Sequence, residues 1–393
     1  MAKPHEISIV VGHQQIGGWV EYQIDTSLVE PADSFALRRP FTAEAWRICR
    51  RDARVRVQID GVPRVDGFID ARRWNTKDGT LEISGRDRIG RLVQESAPRS
   101  AFGGATLLAV ITQLAAPWFE RVTLVNTRNR RVTLGKGSKA PAFDDPVPVL
   151  KSKPKQGRID PGQPRWQVIA EMLSRVNLIA WSSSDGKELI VGRPNQRQPA
   201  LFCIRHSRTA NVGQAIDIDY EESNADRFSM ITAIGAGANS DSDYGENATA
   251  RVGVVFDSEQ RREPGAVRLN LGGSTTFDGT GRDFLYPKRL ILSERPLRDN
   301  EEASRIARRD QIRRDFRRSP LRATMPDHGQ LISGSTRSLF SLDTMTSVVL
   351  EDLKTGEVVV DDDFLIYEAS FRGSSEGQTT ELGLVPRGTE IVA

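Results

Sequence analysis

The sequence is poor in cysteine and contains no long hydrophobic run. Only two cysteines, Cys49 and Cys203, occur in 393 residues, and neither belongs to a CxxC or Cys/His cluster. Their separation argues against a disulfide framework or a metal site and indicates a reducing compartment. No apolar run reaches membrane-spanning length, and the N-terminus lacks the apolar core of a signal peptide. We therefore expect a chain that stays in the cytoplasm until it is assembled.

The chain also lacks a strong excess of charge of either sign. Its 55 Lys and Arg residues stand against 52 Asp and Glu residues, which leaves a net charge of +3. No global field would therefore hold DNA or an anionic membrane. Apolar patterns nevertheless recur along the whole chain and predict folded domains. A chain of this length exceeds what one hydrophobic core usually organises, so two to four compact units are expected.

Residues 1–97 show the alternation of apolar and polar positions that is typical of β-strands. A period of two turns one face of each strand toward a core. The turns between strands are also marked, because Asp60-Gly61 and Asp78-Gly79 tolerate positive φ. Short strands joined by such turns predict a small β-barrel domain. Its apolar positions are Ile7, Ile9, Val11, Val20, Tyr22, Ile24, Val55, Val57 and Ile59.

Residues 98–200 have helical spacing and are predicted to form an α+β middle domain. Thr106 can cap a helix that ends at Pro117, and a second amphipathic helix follows Pro164. Strands around an Asp185-Gly186 turn complete this domain. The Pro- and Lys-rich stretch 135–164 is predicted to be an exposed loop, with a partner contact as the alternative.

Residues 201–393 return to strands and are predicted to form a second β-barrel domain, with exchange of segments between barrel halves left open. A basic helix, residues 299–318, is inserted in it, with Asp299 and Glu302 as a capping pair. Its apolar residues are split between two sides, so it is expected to pack between two bodies. The fold class is thus α+β and mostly β. Side chains predicted inside the second barrel are Leu365, Tyr367, Phe371, Leu382 and Leu384, the first three on one strand face together with Ala369.

The basic helix is the strongest local charge feature. Glu301 with Arg305 and Asp310 with Arg314 are spaced to form i,i+4 pairs that neutralise part of the charge. Aromatic stacking partners are sparse around it. A structural or subunit-contact role is therefore favoured over nucleic-acid binding. Its arginines are Arg305, Arg308, Arg309, Arg313, Arg314, Arg317 and Arg318.

Three glycine-rich motifs resemble catalytic or nucleotide-binding sequences. The string from Gly373 to Gly377 matches the G-x-S-x-G nucleophile elbow but lies between two strands, so a hairpin tip is predicted. Gly135 to Lys139 lacks the spacing of a P-loop. Gly235 to Gly237 lacks the third glycine of a dinucleotide motif. None of the three predicts a catalytic or cofactor-binding residue.

Two acidic clusters have the residue types of metal or catalytic sites. The cluster of Asp241, Asp243 and Glu246 lacks the glycine-centred loop that calcium binding requires, so a solvated turn is predicted. Asp361 to Asp363 alternate between the two faces of a strand and cannot all converge. An acidic strand edge or a channel-facing patch fits them better, and no metal ligand is predicted.

Several short stretches, in order along nearly the full chain, resemble one known family. The most recognisable runs from Ser84 to Val93. The others are Ile16 to Trp19, Asp33 to Leu37, Val55 to Asp60, Gly67 to Asp70, Trp166 to Val191, the basic helix, Ala323 to Pro326, Met345 to Leu350, Phe364 to Phe371 and Thr379 to Pro386. Together they resemble the baseplate hub family of phage Mu and related contractile-tailed phages. Pro326-Asp327-His328 departs from that family, which often carries Trp after this proline, and the stretch 135–164 is longer than expected.

This resemblance implies a non-enzymatic structural protein without a cofactor or small-molecule substrate. It implies a homotrimer in which two similar β-barrel domains per subunit present a quasi-sixfold ring to the hexameric tail tube. The other implied partners are a trimeric central spike, baseplate wedge proteins, and DNA that passes without specific binding. The implied location is the virion tail, after synthesis in the bacterial cytoplasm. Candidate subunit-contact or channel-facing residues are Arg305, Arg309, Arg313, Asp361, Asp362 and Asp363.

Two other functions are compatible with the sequence. The carboxylates and the Gly373 to Gly377 string would suit a tail-associated enzyme that degrades the cell wall. The hub portion of a type VI secretion-like spike would share the fold, but we expect an attached spike domain there, and only Arg387 to Ala393 follow the last predicted strand.

Overall fold

The computed structural model describes residues 4–98, 106–125, 131–134, 159, 161–174, 176–209, 212–237, 251–257, 267–268, 283–284, 288–297, 300–333 and 336–392. The strands in these ranges are β1 (Ile7–Val11), β2 (Gln14–Ile16), β3 (Glu21–Ser27), β4 (Ser34–Pro40), β5 (Arg54–Ile59), β6 (Val62–Asn75), β7 (Thr80–Asp87), β8 (Arg121–Val125), β9 (Arg131–Leu134), β10 (Ile179–Ser182), β11 (Glu188–Gly192), β12 (Phe202–His206), β13 (Asp217–Tyr220), β14 (Met230–Gly237), β15 (Arg251–Phe256), β16 (Val267–Arg268), β17 (Asp283–Phe284), β18 (Arg289–Leu297), β19 (Leu321–Met325), β20 (Gly329–Ser333), β21 (Thr336–Leu339), β22 (Thr344–Glu351), β23 (Val358–Ser374) and β24 (Gly377–Pro386). The helices are α1 (Ala43–Ile48), α2 (Ile89–Gln94), α3 (Leu107–Ala115), α4 (Arg165–Ser174) and α5 (Asn300–Arg318). The predicted mostly-β fold class is confirmed.

One large sheet of 13 strands combines the beginning and the end of the chain. Its order is β13-β19-β24-β23-β3-β4-β7-β6-β5-β1-β2, with β22 paired to β23 and β12 paired to β22. The two parts meet where β3 pairs antiparallel with β23, so that Ile24 lies opposite Phe371. Both residues belong to one hydrophobic core that also contains Ile9 and Leu384. The segments predicted as the first and second barrels therefore share a sheet and a core.

A β-bulge in β23 changes which side chains share a face. The register of β23 against β24 shifts between Ile366 and Glu368. A shift of one residue moves the following side chains to the other face. Leu365 and Tyr367 accordingly pack in a different cluster from Phe371, next to the middle domain. The five side chains predicted to be buried are buried, but the prediction that Leu365, Tyr367, Ala369 and Phe371 share one face is wrong.

The predicted turns are present. Ile59 pairs with Val62, so Asp60 and Gly61 form a two-residue turn with φ of 51° and 78°. The turn at Asp78-Gly79 joins β6 to β7, and the turn at Asp185-Gly186 joins β10 to β11. Local turn chemistry therefore predicted these connections correctly.

The middle of the chain combines helices with a small separate sheet. Its four-stranded sheet has the order β10-β11-β8-β9, and the buried faces of α3 and α4 contribute to the same hydrophobic cluster. Helix α3 begins after Thr106, whose hydroxyl accepts a hydrogen bond from the Ala109 backbone N–H at 3.2 Å. The short helices α1 and α2, six residues each, were not predicted, because each is too short to show a helical period.

A three-stranded sheet, β15-β14-β18, supports the basic helix. The α5 backbone lies close to this sheet at Gly253 of β15, where an added Cβ would lie 2.0 Å from the Ser304 backbone nitrogen. Gly235 to Gly237 lie within β14, not in a nucleotide-binding turn. Among the described helices, none combines the length and the apolar character needed to cross a membrane.

Several predicted features lie outside the described residues. These are the capping residue Asp299, the acidic cluster Asp241, Asp243 and Glu246, the string from Gly135 to Lys139, and most of the stretch 135–164. They remain predictions.

The burial of Leu365 on β23 can be tested with two leucine truncations. Leu365 is fully buried against the middle domain, whereas Leu331 of β20 is 61% exposed. We expect Leu365→Ala to lower the free energy of unfolding by about 3 kcal/mol through lost burial and a cavity. The control Leu331→Ala should change it by less than about 0.5 kcal/mol. Urea denaturation measures both, and equal small losses would contradict the assignment of Leu365 to a core.

Candidate functional site

The basic helix α5 lies between two hydrophobic clusters. Ala303 and Ala307 pack on the three-stranded sheet. On another side Phe316 contacts Tyr367 of β23, with ring centroids 5.0 Å apart. The prediction that the helix packs between two bodies is confirmed.

The candidate residues Arg305, Arg309 and Arg313 follow one another at four-residue spacing and share one side of α5. Arg305 and Arg309 are half-buried, and Arg313 is exposed. Arg309 donates a hydrogen bond to the Ser174 hydroxyl of α4 at 3.4 Å. Desolvation and the neighbouring charge of Arg309 lower the pKa of Arg313. This side of the helix therefore carries crowded positive charge.

Only one of the two predicted ion pairs along α5 forms. Arg314 donates to Asp310 at 2.6 Å and also reaches Asp226 at 3.4 Å. The predicted pair between Glu301 and Arg305 is absent from the ion pairs of the described residues. An exposed ion pair of this kind contributes little to the free energy of unfolding, so its absence costs little stability.

The candidate acids Asp361 to Asp363 lie on β23 opposite Val349 to Ser347 of β22. Asp361 is exposed, and Asp363 pairs with Arg387 at 2.8 Å. Asp362 lines a cavity of about 410 Å³ with Arg308 and Arg318 of α5. These two arginines lie on a different side of the helix from Arg305, Arg309 and Arg313. The structure thus brings Asp362 to the basic helix but not to the candidate arginines.

The G-x-S-x-G string is a hairpin tip, as predicted. Ser374 pairs with Gly377, so Ser375 and Glu376 form a two-residue turn between β23 and β24. The hydroxyl of Ser374 accepts a hydrogen bond from the Glu376 backbone N–H at 3.1 Å. No helix follows that would raise Ser375 as a nucleophile elbow requires.

A buried polar network that the sequence did not predict connects the two parts of the large sheet. Both ring nitrogens of His5 contact carboxylates, Nδ1 with Asp60 and Nε2 with Asp327 at 2.5 Å. The His5 ring stacks on that of His328 at 5.0 Å between centroids. Burial lowers the pKa of His5, while the hydrogen bond and charge of Asp60 raise it. Arg337 also pairs with Asp327.

His328 is the most enclosed member of this network. The Thr380 hydroxyl donates to the Asp327 carbonyl at 2.8 Å, so its oxygen accepts from His328 Nδ1 at 2.8 Å. Nε2 then accepts the hydroxyl proton of Tyr22 at 2.6 Å. Both bonds fit the neutral imidazole, and burial lowers the pKa of His328 to about 3.

Two partial signals for this network are present in the sequence. Asp60 belongs to a predicted turn, and Asp327-His328 departs from the pattern of the resembled family. The partners are 55 and 322 residues from His5 in sequence, so no local period could join them. Within the described residues no group of three or more His, Cys, Asp and Glu side chains is arranged to hold a metal ion.

The fold is that of phage tail proteins. A tail protein from Neisseria meningitidis MC58 has 22% sequence identity and a TM-score of 0.71, over 98% of both chains. The 43 kDa tail protein of prophage MuSo2 from Shewanella oneidensis has 18% identity and a TM-score of 0.70, over 98% of this chain and all of that one. A Francisella PdpA-VgrG complex is more distant, with 7% identity and a TM-score of 0.52, over 99% of this chain and 59% of that chain.

A family model agrees with this fold. Residues 6–87 match the N-terminal part of the Mu phage baseplate assembly protein GpP-like family. The resemblance drawn from the sequence is therefore confirmed for this part of the chain. No curated protein matches this chain in sequence.

The histidine network predicts a defined loss of stability in acid. The pKa of His328 is about 3 in the folded protein and about 6.5 when unfolded, so the unfolded state binds more protons between these values. The contribution of neutral His328 to the free energy of unfolding is complete above pH 6.5 and is lost as the pH falls toward 3. Between pH 7.5 and pH 5, the wild type should lose about 2 kcal/mol more unfolding free energy than His328→Gln.

Urea denaturation at the two pH values measures this difference. The control is His13→Gln, since His13 is exposed, and it should behave like the wild type. An equal loss in the wild type and His328→Gln would reject the buried neutral histidine.

Proposed function

We propose that this chain is the hub subunit of a phage baseplate. Three copies would form an adaptor between the hexameric tail tube and the trimeric central spike, surrounded by wedge proteins. The observation that carries this proposal is the tail-protein fold over 98% of the chain together with the baseplate family match at residues 6–87. The protein would be made in the bacterial cytoplasm and reside in the virion tail, without catalytic activity.

The two parts of the large sheet suit this role. We assign β1 to β7 to one barrel-like domain and β12, β13, β19 and β22 to β24 to the other, on either side of the β3-β23 pairing. Two similar domains per chain would let three chains present six-fold features to a tube. Sheet edges closed or covered in such a ring are also protected from aggregation.

The modest charge suits a conduit for DNA. A net charge of +3 leaves no field that would retain a polyanion passing through the ring. The exposed acid Asp361 would further reduce retention if it faced the channel. DNA would therefore pass without a specific binding site.

A hub in a type VI secretion-like spike is the second candidate, and the fold likeness to the Francisella PdpA-VgrG complex favours it. The two candidates share the adaptor architecture and differ in the machine that contains it. The enzyme alternative has less support, because Ser375 lies in a two-residue turn between strands.

The oligomeric state tests the proposal. We expect mass photometry of the purified chain to show a species of about 131 kDa, three times the chain mass of 43.6 kDa. Ser375→Ala should leave this mass and the infectivity of the phage unchanged. A monomer that cleaves peptidoglycan would contradict the hub proposal.

The side of α5 that carries Arg305, Arg309 and Arg313 tests the proposed subunit contact. We expect Arg313→Glu to raise the concentration at which the trimer dissociates about tenfold, through lost charge complementarity at an interface. The control is Arg197→Glu, because Arg197 is also exposed but lies outside α5. Mass photometry over a dilution series measures both, and equal dissociation of the two variants would reject α5 as a subunit contact.

A further inference from the structure

Arg64 is a buried arginine in the large sheet. It lies on β6 where the register against β5 shifts, and only 9% of the residue is exposed. Its guanidinium carbon lies 5.4 Å from the centroid of the Phe371 ring. Arginine is rarely buried without an anionic partner, because desolvation of its charge is costly.

No such partner is present in the described part of the chain. No carboxylate there lies within ion-pair distance of Arg64, and its buried Nε has no hydrogen-bond acceptor. The nearby rings of His5 and His328 supply no negative charge. Burial accordingly lowers the pKa of Arg64 to about 10, which still leaves the side chain charged at neutral pH. Asp66, two residues further on, shows the contrast, since Arg54, Arg56 and Arg88 all pair with it.

Arg64 lines a cavity of about 590 Å³ between the large sheet and the middle domain. The cavity has room for a small ligand, and its wall is rich in neutral hydrogen-bonding groups. Trp181, Ile190 and Leu342 give it an apolar side. The hydroxyl and amide residues of its lining are Thr26, Ser182, Ser183, Ser184, Asn195, Gln198, Ser341 and Thr344.

Two acids also line the cavity, and neither forms an ion pair with Arg64. Asp343 accepts a hydrogen bond from the Asn195 backbone N–H at 2.5 Å. Asp33 accepts one from the Ser27 backbone N–H at 3.0 Å. Burial and the charges of Asp25 and Glu30 raise the pKa of Asp33 to about 7. The raised pKa favours the protonated form of Asp33, which can donate a hydrogen bond.

We propose that this cavity binds a small oxyanion such as phosphate, held by the Arg64 guanidinium and the surrounding hydroxyl groups. A planar guanidinium offers two parallel N–H groups to such an anion. The ligand would supply the negative charge that no carboxylate of the described residues provides to Arg64. Because the cavity lies between the large sheet and the middle domain, occupancy would also hold these two parts together.

The test compares thermal unfolding in sodium phosphate and in sodium chloride at equal ionic strength and pH 7.5. Linkage predicts that phosphate raises the wild-type Tm by about 3 °C at saturating concentration. Arg64→Met should lose this gain and, in chloride, be at least as stable as the wild type, since it removes an unpaired buried charge. The control is Arg73→Met on the same strand, whose side chain is 74% exposed, and it should keep the full gain.

An equal Tm gain in Arg64→Met would assign the effect of phosphate to general salt action and overturn the proposal. A wild-type Tm that does not respond to phosphate would do the same. If Arg64→Met does not fold, calorimetric titration of the wild type with phosphate decides. Saturable binding of one phosphate per chain supports the site, and no saturable heat overturns it.

Discussion

The pairing of β3 with β23 is the constraint on which the rest of the structure depends. It joins Ile24 to Phe371 across almost the whole chain and makes one core from two distant segments. Such a contact costs much loop-closure entropy before it contributes any burial. The middle domain and the α5 unit are inserted in the sequence between β3 and β23. They can therefore fold from local contacts before β3 and β23 pair. We therefore expect this sheet to form late in folding.

Buried polar groups add to hydrophobic burial in fixing the register of that pairing. Asp25 accepts a hydrogen bond from the Ser370 hydroxyl at 2.5 Å, and Thr26 donates to the Ala369 carbonyl at 3.1 Å. The network around His328 adds a bond from Tyr22 of β3. A slip of one residue would leave these groups buried without partners, at a cost of about 1 to 3 kcal/mol for each.

Local signals predicted local structure well. The cap at Thr106, the turn at Asp60-Gly61 and the hairpin tip at Ser375 all follow from side chains within a few positions of each other. The bulge after Ile366 could not be read from the sequence, because its apolar alternation continues unchanged through Leu365, Tyr367 and Ala369. The histidine network and the unpaired Arg64 depend on contacts between segments far apart in sequence, for which a single sequence contains no period.

The distribution of charge around α5 separates contacts within a chain from those available to a partner. Arg308 pairs with Glu390 at 3.1 Å, and Arg308 and Arg318 share a cavity with Asp362, so these charges have acidic neighbours inside the subunit. On the side with Arg305, Arg309 and Arg313, burial and the charge of Arg309 lower the pKa of Arg313, while the charge of Asp310 raises it. Crowded charge of one sign on a helix is stabilised when a neighbouring molecule supplies the opposite sign. In the proposed ring, an acidic surface of an adjacent copy would supply that charge, and α5 would then belong to a contact between unlike surfaces of two subunits.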